Sequence, residues 1–200
     1  MELYINEFIP VTAVEGPGLR ACLWVQGCSI RCDDCMVPHT WDRKKGKVAD
    51  TSALLQILRE TPGIEGLTVL GGEPMDQAPA LLPFLEQVKA SGLSLMLFSG
   101  YTREAILASG CPYKAAIIDL CDIFIDGPYV KDLTSFDRPW VGSGNQRIFF
   151  QTERYRHLEN NLHTIENKVE IRITDEGEIA INGMMPKEKF IELQRSFRKI

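Results

Sequence analysis

The sequence contains no apolar run long enough to cross a lipid bilayer. Its first residues, 1–6, lack the basic and apolar regions of a secretory signal peptide. Basic residues are not in excess either, because 22 lysines and arginines stand against 27 acidic residues, for a formal net charge of -5. These absences argue against a membrane or nucleic-acid partner. We therefore expect a cytoplasmic protein.

Internal repeats, low-complexity segments and Gly/Ser-rich linkers are also missing from the sequence. The 200 residues, 44% of them hydrophobic and 24% charged, have the composition of an ordinary globular protein. A chain of this length can bury a sizeable core within one domain. The sequence therefore predicts a single domain spanning residues 1–200.

Cysteine is the residue type that carries most information about chemistry. Cys28, Cys32 and Cys35 have the spacing C-x3-C-x2-C. In a reducing cytosol, clustered cysteines are more often metal ligands than disulfide partners. Structural zinc sites usually close four positions with protein ligands. A cubic iron–sulfur cluster has four irons, so three cysteines would leave one iron free to bind another ligand.

The other cysteines and one histidine define the alternatives to this interpretation. Cys22 and Cys121 lie in apolar runs typical of strands, and Cys111 precedes a proline in a predicted loop. We interpret these three as packing residues. His39 follows Cys35 closely enough to complete a Cys3His zinc site, which remains an alternative at this point.

Apolar runs alternate with helical patterns over the first 150 residues, which is typical of βα units and a parallel sheet. Strands are predicted at 21–26, 67–70, 93–98, 123–125 and 147–150. Helices are predicted at 52–60, from 79 to the residues before Gly92, and at 103–108, with a further helical turn at 117–120. Five such units are too few to close an eight-stranded barrel. The predicted fold class is α/β, an open partial (βα) barrel of about five or six parallel strands.

The C-terminal part has a different pattern. Residues 169–173 alternate apolar and polar side chains, and a turn at Asp175-Glu176-Gly177 can lead back into 179–181. An amphipathic helix is predicted at 187–198. The chain is therefore expected to end in a β-hairpin followed by a helix.

Glycine-rich and polar clusters follow the predicted strands. The cysteines come after the first strand, Gly71-Gly72-Glu73 after the second, Ser99-Gly100-Tyr101 after the third, and Asp126-Gly127 after the fourth. The carboxyl ends of parallel strands form the ligand face of α/β folds. We expect these clusters to converge on one mouth.

The cysteine spacing together with Gly71-Gly72-Glu73-Pro74 resembles the radical S-adenosylmethionine superfamily. The resemblance implies that Cys28, Cys32 and Cys35 bind a 4Fe–4S cluster, whose free iron is chelated by the amino and carboxylate groups of S-adenosyl-L-methionine. One electron then cleaves the cofactor to methionine and a 5′-deoxyadenosyl radical, which removes a hydrogen atom from the substrate. The cofactor supplies this chemistry, and the protein supplies orientation and exclusion of water.

The same resemblance implies cofactor contacts. Gly71 and Gly72 allow the backbone to approach the methionine moiety, since they lack a Cβ atom. Glu73 is expected beside the ammonium group of the cofactor. Asp34 stands where many superfamily members have an aromatic residue near the adenine.

Further ordered motifs resemble the activating proteins of glycyl-radical enzymes, of the anaerobic ribonucleotide reductase type. These motifs are 15–20, 39–41, 98–102, 125–129 and 142–147. The resemblance covers a core of about residues 8–150 and leaves 151–200 as a C-terminal extension of one radical S-adenosylmethionine domain. It implies Ser99 and Tyr101 as cofactor neighbours, and Asp126 and Asn145 as ribose or methionine contacts.

The resemblance also implies partners. A glycyl-radical enzyme would donate the hydrogen atom from one backbone glycine, and flavodoxin or ferredoxin would donate the electron. Arg20, in the first of these motifs, could serve either structure or partner binding. Two alternatives stay open: a stand-alone radical enzyme whose extension forms a pocket for a small molecule or peptide, and a non-enzymatic zinc- or cluster-bearing binding module.

Overall fold

The structure is a computed structural model that describes residues 1–173, 177 and 179–197. Its strands are β1 (Tyr4–Thr12), β2 (Arg20–Val25), β3 (Lys47–Val48), β4 (Gly66–Gly71), β5 (Ser94–Phe98), β6 (Ile123–Asp126), β7 (Arg147–Phe150), β8 (Val169–Ile173) and β9 (Ile179–Gly183). Its α-helices are α1 (Thr51–Glu60), α2 (Ala78–Ala90), α3 (Arg103–Ala108), α4 (Pro112–Leu120) and α5 (Lys187–Phe197). None of the described helices has the length and apolar character needed to pass through a membrane.

In the described chain, the first seven strands form one sheet in the order β3-β1-β2-β4-β5-β6-β7. The central strands β2, β4, β5 and β6 are parallel, whereas β1, β3 and β7 join antiparallel. The α/β class is confirmed, but the prediction of five or six parallel strands is wrong because four are parallel. β7 is antiparallel because the chain returns from β6 through residues 127–146 without the crossover helix that a parallel neighbour uses.

β1 is a strand that the sequence pattern did not predict. Pro10 lies within it, and proline in sheets is confined to edges, strand starts and bulges. The register of β1 against β2 shifts between Ile5 and Glu7, and again between Ile9 and Thr12. These irregularities break the regular alternation by which a strand is recognised.

The predicted helices agree well with the structure. Asp50 is the N-cap of α1, and its Oδ1 accepts hydrogen bonds from Ser52 N and Ala53 N, both at 3.0 Å. α3 has the predicted bounds. α4 is longer than the predicted turn because Pro112 begins it, and proline is favoured in the first helical turn.

The three cysteines outside the metal motif have packing positions or lie at a helix end. Cys22 is fully buried within β2. Cys121 is also fully buried, but it is the C-cap residue of α4 and not part of a strand, since its backbone N–H donates to Ile118 O at 3.2 Å. Cys111 precedes α4 as its N-cap residue.

The sheet separates a helical layer from the face that carries the site. Leu67 and Val69 of β4 are buried in the core formed with α1, α2 and α4. Alternate residues of a strand point to opposite faces, so Thr68 and Leu70 face the other side. That side is the concave wall of the cavity described below.

The C-terminal hairpin is confirmed by β8 and β9, which pair with Ile171 opposite Ile181. Of its predicted turn, Asp175 and Glu176 lie outside the described residues. α5 begins at Lys187 as predicted, whereas the predicted last residue, Arg198, is also outside the described part.

Candidate metal and cofactor site

The cysteine loop, residues 27–46, follows β2 directly and is held at its base by hydrogen bonds. The buried Gln26 side chain donates through Nε2 to His39 O at 2.8 Å and to Asp42 O at 2.9 Å. Gly27 N donates to Thr40 O at 2.7 Å. The loop is thereby folded back on itself at the carboxyl end of β2.

Cys28, Cys32 and Cys35 are free, partly exposed thiols on this loop. Val37 N donates to Cys35 Sγ at 3.4 Å. Burial raises the pKa of the Cys28 and Cys32 thiols. Hydrogen bonds to sulfur are one of the features that tune protein-bound iron–sulfur clusters. Three accessible sulfurs on one loop, one of them with an N–H donor, fit that ligand set.

A single-ion site is a poorer fit. No group of three or more His, Cys, Asp or Glu side chains in the described part of the chain stands close enough to share one metal ion. His39 is exposed, and it is its backbone carbonyl that receives the hydrogen bond from Gln26. The thiolates of a cubane bind different irons, so they need not converge on one point as zinc ligands do.

Glu73 is a buried carboxylate, only 1% exposed. Its Oε1 accepts from Ser99 Oγ at 2.8 Å and Met75 N at 2.9 Å, and its Oε2 accepts from Gly100 N at 2.7 Å. Burial outweighs these neutral donors and raises the pKa of Glu73 to about 7. A buried carboxylate held only by neutral donors is suited to receive a cationic group from a ligand.

Gly71 and Gly72 are required by the packing of the chain itself. Gly71 has a φ of 106°, and a Cβ there would lie 2.7 Å from Val25 N. A Cβ at Gly72 would lie 2.2 Å from Gly27 O. These glycines let the end of β4 pass close to the base of the cysteine loop, a reason for glycine that is independent of any ligand.

One cavity of about 630 Å³ brings most of the predicted site residues together. The predicted residues in its described wall are Cys28, Cys32, Asp34, Cys35, Gly71, Gly72, Glu73 and Ser99. The concave face of the sheet contributes Trp24, Leu70 and Phe98. The cysteines and the buried carboxylate therefore share one largely apolar compartment.

Tyr101 is not among the described residues of the cavity wall. Its hydroxyl donates to Asp76 Oδ1 at 3.1 Å and lies 2.7 Å from Ser29 Oγ. Ser29 N also donates to Asp76 Oδ2, at 2.8 Å. Tyr101 and Asp76 thus fix the residue that follows Cys28.

Asp126 and Asn145 are also outside the described wall of the cavity. Asp126 is fully buried, where it accepts from Arg103 N at 2.6 Å and forms an ion pair with Arg147. Asn145 Nδ2 donates to Pro128 O at 2.7 Å. The structure therefore gives both side chains contacts that connect β6 and β7.

Several wall residues were not predicted as site residues. Trp24 and Trp41 both line the cavity, and their indole N–H groups have no hydrogen-bond partner among the described residues. Glu15 and Lys187 also belong to the wall. Glu15 and Trp41 lie in the motifs 15–20 and 39–41, whereas nothing local marks Trp24 and Lys187, which long-range packing brings to the cavity.

Comparison with known proteins agrees with this geometry. Residues 14–149 match the family described as a 4Fe-4S single cluster domain. Over 155 residues, the chain is 30% identical to the anaerobic ribonucleoside-triphosphate reductase-activating protein of Pasteurella multocida, covering 74% of this chain and 97% of that protein. This chain belongs to the 4Fe-4S single cluster domain family and to the family of these activating proteins.

Other members of the activating-protein family show the same extent of similarity. The Escherichia coli K12 protein is 28% identical over 151 residues, which cover 72% of this chain and 96% of the relative. The phage T4 protein is 29% identical over 154 residues, which cover 74% and 94%. The solved structure of QueE from Escherichia coli is similar over 51% of this chain and 54% of QueE, with 24% identity and a TM-score of 0.45.

The match to the 4Fe-4S family ends before the C-terminal extension begins. The family match ends at residue 149, although the activating proteins are covered over nearly their whole length. The hairpin β8–β9 and α5 therefore lie outside the region matched by the 4Fe-4S family.

Proposed function

We propose that this protein is a radical S-adenosylmethionine enzyme that abstracts a hydrogen atom from a glycine of a partner glycyl-radical enzyme, of the anaerobic ribonucleotide reductase type. The observation that carries the proposal is that the three cysteine sulfurs and the buried Glu73 face one cavity, in a chain of the activating-protein family. The relatives are named as activating proteins of anaerobic ribonucleoside-triphosphate reductase, and we propose a partner of the same class for this chain.

The three cysteines would hold three irons of a 4Fe–4S cluster and leave the fourth for the amino and carboxylate groups of S-adenosyl-L-methionine. When bound and reduced by one electron, this pair of cofactors supplies methionine and a 5′-deoxyadenosyl radical, which takes one hydrogen atom from the substrate. Ser99 and Gly100 N hold the Glu73 carboxylate in place. The carboxylate would then accept a hydrogen bond from the amino group of the cofactor.

The remaining predicted residues would either contact the cofactor or support the loops around it. Gly71 and Gly72 would give backbone access to the methionine moiety, and Asp34 lies in the wall where the adenine is expected. Three residues would support the loops around the cofactor. Tyr101 would do so through Ser29 and Asp76. Asp126 would do so through Arg147, and Asn145 through Pro128. The apolar wall would exclude water from a reactive radical.

Three further statements belong to the proposal. The sheet, with β3 and β7 at its edges, would form an open partial barrel whose ligand face is the cavity. Residues 1–200 would form one radical S-adenosylmethionine domain with a core at about 8–150. A cytoplasmic flavodoxin or ferredoxin would supply the electron.

The test is anaerobic reconstitution of the full chain with iron and sulfide, followed by S-adenosyl-L-methionine, a reductant and a candidate reductase. We expect about four irons per chain, release of 5′-deoxyadenosine, and a glycyl radical signal on the reductase by electron paramagnetic resonance. Cys32→Ala should abolish all three. Cys111→Ala, which removes a partly exposed thiol outside the loop, should abolish none.

The outcomes separate the alternatives. One zinc per chain and no iron would refute the proposal that this protein is a radical enzyme. Release of 5′-deoxyadenosine without a glycyl radical on any glycyl-radical partner would remove the activating role and leave a stand-alone radical enzyme.

A further inference from the structure

The C-terminal extension is tied to the core beside β7. Asn167 Oδ1 accepts from Trp140 N at 3.2 Å, and its Nδ2 donates to Phe136 O at 2.8 Å and Arg138 O at 3.2 Å. Residues 136–140 belong to the connection between β6 and β7. The hairpin that follows therefore starts from a fixed point at this end of the sheet.

A second tie joins the extension to the β1–β2 connection. Glu15 Oε1 accepts from Asn182 Nδ2 at 3.1 Å and from Gly183 N at 2.8 Å. Glu15 and Asn182 are 6% and 5% exposed, so these hydrogen bonds are shielded from water. Asn182 also donates to Thr12 Oγ1 at 3.1 Å. Val169 lies opposite Gly183, and Met184 N donates to Lys168 O at 2.9 Å, so both ties hold the open end of the hairpin.

These two ties bring Lys187 to the cysteine loop. Lys187 begins α5, and its Nζ forms an ion pair with Asp34 Oδ1. Both residues line the cavity, with side chains 43% and 23% exposed. Asp34 immediately precedes Cys35 and has a φ of 61°, a left-handed conformation that Asp adopts more readily than most residues.

The ion pair matters because of where its negative charge lies. Under the proposed function, Asp34 adjoins a ligand of a thiolate-bound cluster that must accept one more electron. An unpaired carboxylate there would disfavour the added negative charge and lower the reduction potential. Among the described residues, Lys131 also lies near Asp34 and lines the cavity, but it forms no ion pair with that carboxylate.

We propose that Lys187 is a positioning residue of the cluster site, which holds the cysteine loop through Asp34 and neutralises the charge of Asp34 beside Cys35. The inference rests on the proposed function, because it requires a cluster on these cysteines. It assigns a role in the radical chemistry to an extension that lies outside the matched family region.

The experiment measures the midpoint potential of the reconstituted cluster in the full chain. Lys187→Ala should lower it, because Asp34 becomes unpaired. Asp34→Asn should raise it, because Lys187 becomes unpaired, and asparagine tolerates the same backbone conformation. The double variant should return close to wild type. Each single change should alter the reduction equilibrium about two- to fivefold, which corresponds to about 20 to 40 mV.

Two controls separate charge compensation from general disruption. Lys187→Arg keeps the charge and should keep the potential, whereas Lys189→Ala removes an exposed charge of the same helix and should change nothing. Iron release to a chelator is the second measurement. It should be about two- to fivefold faster in Lys187→Ala than in wild type or in Lys187→Arg.

Opposite shifts that cancel in the double variant support the inference. Equal potentials in all variants, or shifts of one sign in both single variants, overturn it while leaving the proposed function intact. A wild-type chain that binds no 4Fe–4S cluster would instead overturn the proposed function. If Lys187→Ala fails to assemble a cluster, recovery in Lys187→Arg supports the positioning role, and failure there as well overturns it.

Discussion

At the scale of single residues, the burial of Arg20 shows which of its two possible roles, structure or partner binding, this side chain has. Its side chain is fully buried, and Nε donates to Thr68 Oγ1 at 2.8 Å. The same guanidinium reaches Ser94 Oγ and Leu67 O, both at 2.9 Å. It therefore cross-links β2, β4 and β5, and it has no surface with which to meet another protein.

Arg20→Ala should lower the free energy of unfolding by about 3 kcal/mol or more, since it leaves a cavity and several polar groups with fewer partners. Arg20→Lys should rescue little, because one ammonium group cannot reproduce the planar set of donors. Urea denaturation measures both. Arg59→Ala, on the exposed face of α1, is the matched control and should stay within about 0.5 kcal/mol of wild type. A similarly small effect of Arg20→Ala would contradict the structural role.

The raised pKa of Glu73 predicts that the stability of the cofactor-free protein depends on pH. Burial raises its pKa from 4.5 to about 7 in the folded state, so the folded protein binds more protons than the unfolded chain between these values. The free energy of unfolding therefore falls as the pH rises through this window, by about 3 kcal/mol in all. Urea denaturation between pH 4.5 and 8 measures the slope.

Substitution isolates the contribution of Glu73. Glu73→Gln should flatten the decline across this pH range, at the cost of the hydrogen bond from Gly100 N. Glu86→Gln, at an exposed position of α2, should retain the wild-type slope. An unchanged slope in Glu73→Gln would mean that other groups govern the titration.

At the level of secondary structure, the C-terminal hairpin depends on the core for its order. An isolated two-stranded sheet is at best marginally stable in water. Ile173 is 66% exposed at the end of β8, so apolar burial contributes little there. The buried hydrogen bonds of Glu15 with Asn182 and Gly183 are the stronger support.

Glu15→Ala should therefore loosen β8 and β9 without unfolding the central sheet. Loss of these hydrogen bonds, worth about 1 to 2 kcal/mol together, should speed amide hydrogen exchange in the hairpin about five- to thirtyfold. Exchange in β4 and β5 should stay as in wild type. Glu7→Ala, an exposed change on β1, is the control. Equal protection of the hairpin in Glu15→Ala would show that another contact holds it.

The same elements show what sequence could and could not predict. α1, α3 and the hairpin follow from local signals: a capping Asp50, helical spacing and strict alternation. β1 was not predicted because its register shifts interrupt the alternation of apolar and polar residues. The antiparallel direction of β7 depends on the path of the preceding loop, which has no local signature in the sequence. The metal motif is local in sequence, whereas the contact between Lys187 and Asp34 joins distant parts of the chain.

Across the whole molecule, the site is assembled from three regions: the cysteine loop, the carboxyl ends of β4 and β5, and the extension. Glu73 and Ser99 come from the second region, and Lys187 from the third. A ligand that contacts all three should bind the folded state alone. Its binding should therefore stabilise the entire domain by mass action.

S-adenosyl-L-methionine should raise the unfolding temperature of the reconstituted protein under anaerobic conditions. At about one hundred times its dissociation constant, it should add about 2.7 kcal/mol, or about 5 to 10 °C for a domain of this size. Cys32→Ala should show a much smaller rise, because the cofactor loses the iron that its amino and carboxylate groups bind. Differential scanning fluorimetry in an anaerobic chamber measures both. An equal rise in the two proteins would mean that the cofactor binds without the cluster, and the open iron would lose its role in holding it.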